Sequence, residues 1–261
     1  MPKKNLGLAC LVLICGCASA NPAISRTVPA SGVELLTRMH DAYNGKWYKT
    51  LTFVQKTTVA RANGVVDTST WYESLRSPDR LRIDFGDPTK GNGALYTADS
   101  LYVVRGGKVT RSLGSGNPFL PFVAGVYTQP VETTLRQLAP YKFDLSLIRA
   151  DTWQGKPVYV VGAKSPEDLD SPQFWIERDR LQPVRFLVKL SPAPDAKPND
   201  IRLESYVPVG GGWLATHVAI MEGSVVRQAE DYSEWKGDVA LPPDFFVAEK
   251  WSDSPHWHSG Q

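Results

Sequence analysis

The sequence predicts a mainly β protein. We expect an antiparallel sheet of about ten or eleven strands, one N-terminal helix and a short helical segment in mid-chain. Asn63-Gly64 is a dipeptide that favours tight hairpin turns. Leu81, Ile83 and Phe85 alternate with polar residues, as in a strand with one apolar face. The strand patterns do not alternate regularly with helical ones, which argues against a parallel sheet.

The N-terminal helix is predicted from its capping residues. Ser31-Gly32-Val33-Glu34 matches a capping box. In such a box the Ser31 hydroxyl accepts from the Glu34 backbone N–H, and the Glu34 carboxylate returns the bond. Apolar residues then recur at helical spacing up to Gly45, which predicts about three helical turns.

The strands are predicted from β-branched and aromatic residues between turn signals. The stretch 51–85 contains the first strands, and further ones are expected at 94–96, 100–105, 109–113, 143–150, 157–163, 174–178, 185–190, 201–207, 213–222 and 225–235. Residues 117–127 are apolar but interrupted by prolines, so they predict a short helix or a lid-like loop. Residues 131–139 predict another short helix that ends at Pro140.

The polar side of the strands is interpreted as a solvated outer face. Alternation places Arg80, Arg82 and Asp84 there, and the carboxylates of Glu73 and Asp87 are interpreted in the same way. Charged side chains at such positions usually pair with one another in water.

The N-terminus predicts a signal peptide within residues 1–20. A short basic region precedes an apolar run, 6–16, that is too short to span a bilayer comfortably. Two processing sites stay open. Cleavage before Cys17, at a sequence that resembles a bacterial lipobox, would acylate Cys17 and leave 21–30 as a tether. Cleavage after Ala20 would release a soluble protein.

Composition limits the classes of function. The 261 residues are 42% hydrophobic and 21% charged, which is ordinary for a globular protein of one all-β domain or two smaller ones. We expect a single domain over 31–251 with a loose tail at 252–261. Without residues 1–16, 27 Lys and Arg balance 27 Asp and Glu. This balance argues against the basic face of a nucleic-acid-binding protein. All three cysteines precede residue 18, so the body can form no disulfide and no cysteine-based metal site.

Signals for catalysis are weak. The chain has no nucleophile-elbow, zinc-protease or phosphate-loop motif. His40 and His217 stand alone, and His256 with His258 would supply only two metal ligands. We therefore expect no enzyme, no metal and no cofactor. A hydrolase with an unrecognised site is the weakest alternative.

The order of short motifs resembles that of the bacterial lipoprotein-localisation family, a LolA/LolB-like group of periplasmic lipoprotein carriers and outer-membrane lipoprotein receptors. The resemblance runs from Ser31 to about Trp251. Its motifs here are Phe53-Val54-Gln55-Lys56, Trp71-Tyr72 followed by Pro78, Leu81-Arg82-Ile83-Asp84, Leu101-Tyr102 and Asn117-Pro118-Phe119. In the carrier an arginine directly precedes the proline of the second strand. Here that position is Ser77, and Arg76 lies one residue earlier.

The resemblance implies a half-open, strongly curved antiparallel β-barrel with helices as a lid. It also implies a cavity that holds acyl chains. A curved sheet with one apolar face and few covering helices would leave such a cavity, which favours apolar ligands. The expected ligand-binding residues are Leu36, Met39, Tyr43, Leu81, Ile83, Phe85, Leu101, Val103, Phe119, Phe122, Phe174, Ile176, Phe186, Val188, Ile201 and Leu203.

These observations predict a non-enzymatic envelope protein that binds acyl chains of a lipid or lipoprotein, for transport or sorting to the outer membrane. The alternative is an envelope scaffold or stress sensor that binds a protein partner. The expected partners are a lipid or acylated lipoprotein and, through lipidated Cys17, a membrane surface, with no nucleic acid. We expect a monomer on the periplasmic side of the envelope, as an outer-membrane lipoprotein or, alternatively, as a soluble periplasmic protein.

Overall fold

The computed structural model describes residues 27–61, 64–190, 193, 196–253 and 255–258. The predicted signal peptide with Cys17, most of the tether and Asn63 lie outside the described residues. No described helix is both long and apolar enough to cross a membrane.

One antiparallel sheet of thirteen strands forms the described body. The strands are β1 Thr50–Ala60, β2 Val66–Arg76, β3 Arg80–Phe85, β4 Gly93–Tyr96, β5 Leu101–Arg105, β6 Lys108–Leu113, β7 Ile148–Trp153, β8 Lys156–Val161, β9 Gln173–Glu177, β10 Gln182–Val188, β11 Asn199–Val209, β12 Gly212–Glu222 and β13 Val225–Gly237. Their order is β6-β5-β4-β3-β2-β1-β13-β12-β11-β10-β9-β8-β7. Two meanders thus meet where β1 pairs with β13, and the sheet stays unclosed, which confirms the half-open fold class.

The predicted strand count was too low, because the stretch 51–85 alone supplies three strands. The predicted strand 143–150 also began too early. The Asp144 carboxylate accepts hydrogen bonds from the backbone N–H and the hydroxyl of Ser146, which holds 144–147 in a turn, and β7 starts at Ile148. The turn that follows is shorter than expected. Gln154 and Gly155 have φ of 49° and 77°, which suits a two-residue hairpin turn.

Helix α1 spans Gly32–Tyr43 and packs Leu35, Leu36 and Met39 against the sheet. The Ser31 hydroxyl accepts from the Glu34 backbone N–H at 3.2 Å, as predicted. The Glu34 carboxylate instead accepts from the backbone N–H of Ala30 at 2.7 Å, so the second bond reaches one residue further back than the capping box requires.

The mid-chain segment is helical. A π-helix at Pro121–Gly125 leads into α2, Val126–Thr128, and α3 follows at Val131–Leu138. Four short 3-10 helices lie at Pro88–Lys90, Ala139–Tyr141, Pro243–Phe246 and Ala248–Lys250. Helix α1 packs on α2 and α3, so these helices form one cover over the concave face of the sheet.

The concave face is packed solid at one end, above β8–β10. There Phe122 of the cover lies 4.9 Å from Phe174 and 4.7 Å from Phe186 between ring centroids, and Phe143 lies 5.2 Å from Phe174. Each of these strand residues is fully buried. We call this region the filled half. The concave surface above β1–β3 and β11–β13 is called the hollow half.

The convex face at β3 is not solvated, contrary to the expectation for Arg82 and Asp84. The C-terminal segment packs over it, and the Arg82 guanidinium lies 4.1 Å from the Phe245 ring and 3.8 Å from the Trp251 ring. Arg82 donates to both Asp84 oxygens at 2.8 and 3.0 Å, and His256 Nε2 lies 3.2 Å from Asp84 Oδ2. Buried charges in proteins are usually paired in this way.

Two details of the outer face follow from this packing. His256 belongs to the predicted loose tail, yet its side chain is only 8% exposed against Asp84. Arg80 and Asp87 remain exposed at least in part, as expected.

Candidate ligand cavity

The hollow half encloses a cavity of about 290 Å³ between the sheet and the cover. This volume is near the lower end of small-molecule sites, roughly 300–1,000 Å³. Its apolar walls are formed by Leu51, Phe53, Leu75, Leu81, Ile83, Ile201, Leu203, Leu214, Val218 and Ile220 from the strands, and by Phe119, Leu120 and Val123 from the cover. Because apolar residues come from both sides, the space suits an aliphatic group.

An aromatic group closes the cavity toward α1. The rings of Trp47 and Tyr127 stack at 3.8 Å between centroids, and both line the cavity. The Tyr127 hydroxyl donates to the carbonyl of Leu181 at 2.8 Å, and the Tyr43 hydroxyl donates to the carbonyl of Arg180 at 2.7 Å. The cover is therefore attached to the turn between β9 and β10.

Two carboxyl groups lie within these apolar walls, the buried Glu73 and the half-buried Glu230. Glu73 on β2 pairs across the sheet with Phe53 and Ile83, so its side chain shares their concave face. Glu230 on β13 accepts hydrogen bonds from the Tyr232 hydroxyl at 2.8 Å and from Gln228 Nε2 at 2.7 Å. Both glutamates line the cavity.

Burial dominates the protonation of this pair. It raises the pKa of Glu73 well above the ordinary glutamate value, and the nearby charge of Glu230 raises it further. Burial also raises the pKa of Glu230, although the hydrogen bonds from Tyr232 and Gln228 oppose that change. Both carboxyls consequently favour the neutral form more than exposed glutamates do.

The residues that line the cavity include no lysine, arginine or histidine. Its other polar side chains are four amides and eight aromatic residues with a hydroxyl or an indole N–H: Gln55, Asn117, Gln182, Gln228, Tyr48, Tyr96, Tyr127, Tyr206, Tyr232, Trp47, Trp71 and Trp213. Within the described ranges, no three His, Cys, Asp or Glu side chains are placed to hold a metal ion. The site is an apolar pocket with an acidic polar patch.

Five of the residues predicted to bind the ligand line this cavity: Leu81, Ile83, Phe119, Ile201 and Leu203. Seven others, Leu36, Met39, Phe122, Phe174, Ile176, Phe186 and Val188, are buried in the same hydrophobic core but pack around the filled half and α1. Tyr43 and Phe85 contact that core from its margin. The prediction that these residues bind a ligand stays a prediction.

Leu101 and Val103 lie on the concave face beyond the cavity. Leu101 pairs with Tyr96 and Val103 with Ala94, which places both on the surface that carries Leu81 and Ile83. Both are half-buried. They extend the apolar surface toward the edge strand β6.

The sequence interpretation missed Glu73, which was assigned to a solvated face. Its position in the alternation Trp71, Glu73, Leu75 could have placed it on the apolar side. Arg76 falls on the opposite side. Its guanidinium donates to the carbonyls of Leu241 and Pro242, both at 3.0 Å, so it holds the C-terminal segment and does not face the cavity.

Comparison with solved structures supports the fold. Among similar structures are a DUF1329 family protein from Desulfovibrio piger (TM-score 0.58, 17% identity, 82% of this chain and 95% of that chain) and a LolA superfamily protein from Nitrosomonas europaea (0.54, 13%, 84% and 98%). The chain shares the LolA-superfamily fold.

A third similar structure is a domain from Vibrio parahaemolyticus described as a putative outer membrane lipoprotein-sorting protein domain, with a TM-score of 0.56, 13% identity and coverage of 83% of this chain and 96% of that chain. No protein-family model and no curated protein sequence matches the chain. The predicted resemblance to the lipoprotein-localisation family is thus confirmed at the level of the fold.

Proposed function

We propose that this protein is a non-enzymatic carrier of the bacterial envelope that binds acyl chains of a lipid or lipoprotein in the hollow half. The observation that carries the proposal is the cavity of about 290 Å³ with apolar walls on both sides. Burying a methylene contributes about 0.8 kcal/mol, so a chain of several methylenes would be held firmly. The LolA-like fold supports the same class of function.

The competing function is a scaffold or stress sensor that binds a protein partner. A concave face filled along its whole length would favour that function, because the fold would then offer a ligand no space. The hollow half favours a ligand-binding protein instead.

The test is uptake of a neutral fluorescent alkyl probe by protein purified without detergent. We expect saturable binding, and Leu203→Trp should weaken it at least tenfold by filling the cavity. Thr70→Trp adds the same ring at an exposed position of β2 and should change nothing. No uptake by the wild-type protein, or unchanged uptake by Leu203→Trp, would refute acyl-chain binding.

We further propose that Cys17 carries the membrane anchor, with the outer membrane as its destination. The support is the lipobox-like sequence that ends at Cys17 and the polar stretch 21–30 before the folded body. Cys17→Ser should shift the protein from the membrane fraction to the soluble periplasmic fraction. Soluble wild-type protein with Asn21 at its N-terminus would contradict the anchor.

A further inference from the structure

Glu73 is a buried carboxyl group without a partner. The residue is 5% exposed and faces the cavity. In the part of the chain that the structure describes, no group donates a hydrogen bond to its carboxyl, and its protonation is affected only by burial and by Glu230. Because this carboxyl faces the cavity, a group that enters the cavity can supply the missing hydrogen bond.

Glu230 does not supply that partner, because no hydrogen bond joins these two described carboxyls and the charge of Glu230 opposes ionisation of Glu73. The hydrogen bonds of Glu230 come from Gln228 and Tyr232. The same chain pairs the buried Asp84 fully, with Arg82 and His256. Among the described residues Glu73 thus differs from Asp84, because no cation and no hydrogen-bond donor contacts its carboxyl.

The charge of the cavity lining points to the chemistry of the partner. Of the described residues, two glutamates and no basic side chain line it, so a cationic donor is complementary and an anionic head group is not. Glu73 also lies directly opposite Ile83, next to the apolar wall of Leu81. An alkyl chain attached to a nitrogen donor at Glu73 would thus contact these apolar side chains.

We propose that the cavity selects an alkyl chain that carries a protonated amine, with the ammonium group donating to Glu73 and the chain lying along Leu81, Ile83 and Leu203. This inference rests on the proposed acyl-chain binding and specifies its ligand. The ammonium keeps its protons, and Glu73 releases its own proton to solvent as the ion pair forms.

The experiment compares dodecylamine, dodecanol and dodecanoate as competitors of the neutral probe at neutral pH. The three share one chain and differ in the head group. We expect the amine to bind about tenfold or more tightly than the alcohol, the size of one charge-assisted hydrogen bond, and the carboxylate to bind most weakly. This comparison uses the wild-type protein, so it does not depend on the folding of any variant.

Glu73→Gln should abolish the preference for the amine, so that amine and alcohol compete with the probe equally well. Asp87→Asn removes an exposed carboxylate near β3 and should preserve the preference for the amine. An alcohol that binds as tightly as the amine, or an amine preference that survives in Glu73→Gln, overturns the inference but not acyl-chain binding. Failure of all three competitors to bind overturns both.

Discussion

The filled half and the hollow half lie on one concave face and are built from strands of the same pattern. Above β8–β10, Phe122 of the cover packs onto Phe174 and Phe186 and leaves these rings fully buried. Above β1–β3 and β11–β13, mainly apolar residues and an acidic polar patch face a space of about 290 Å³. At the filled end the ring of the cover contacts the rings of the strands, whereas Phe119 and Tyr127 border the cavity without filling it. One sheet can therefore have a packed core at one end and space for a ligand at the other.

The largest expected contrast comes from inserting a charge. Val188→Glu places a carboxylate in the filled half at a residue that is 2% exposed, which costs several kcal/mol without a partner. We expect loss of cooperative thermal unfolding. Leu81→Glu, in the wall of the cavity, should leave a folded protein that no longer takes up the neutral probe. Leu81 is a better position for this substitution than Ile83, because a glutamate at position 83 would lie directly opposite Glu73.

Melting curves and probe uptake of the two glutamate variants together test this contrast. If Leu81→Glu unfolds like Val188→Glu, the hollow half is packed in solution and the comparison fails. If Leu81→Glu folds and binds as before, the ligand does not contact this wall.

A smaller contrast comes from removing volume. Phe186→Ala should destabilise the filled half by about 3–5 kcal/mol, because the tightly packed rings around it cannot collapse fully into the void. Leu203→Ala borders an existing cavity and should lose mainly the transfer term, about 2.4 kcal/mol at roughly 0.8 kcal/mol per methylene. Denaturant unfolding measures both. Equal losses would show that the two halves are packed alike.

The smallest effect concerns pH. Burial, followed by the charge of Glu230, raises the pKa of Glu73, so folded protein retains a proton that the unfolded chain loses above about pH 4.5. The stability due to Glu73 is full below that pH and is lost as the pH rises through its folded-state pKa. Glu73→Gln should make stability fall less steeply between pH 5 and about pH 8. Parallel profiles for wild type and variant would show that Glu73 ionises normally.

The sequence predicted the secondary-structure elements better than the long-range contacts of their side chains. Each of the thirteen strands falls within or overlaps a predicted segment, because alternation and turn residues act locally. Arg82 and Asp84 were misplaced for a non-local reason: the segment that buries them, 243–258, follows about 160 residues later in the chain. No local pattern reports such a contact.

The cavity residues show the same limit. Leu81, Ile83, Ile201 and Leu203 were correctly placed on the concave face, since side chains alternate between the two faces of a strand. Phe174 and Phe186 show the same alternation and yet fill the core. Alternation identifies a face but carries no information on how much volume the cover brings to each part of it.

The sequence by itself determined a mainly antiparallel sheet, its N-terminal and mid-chain helices and which side chains turn toward the apolar face, because these follow from local periodicity and capping. Only the tertiary structure decided that the helical cover fills one half and leaves the other hollow. It also decided that Glu73 is enclosed without a partner, while Asp84 is enclosed with two. Packing and pairing depend on residues that are distant in the chain. The alternation along a strand is the same whether its side chains are packed or border a cavity, and whether a charge is paired or not.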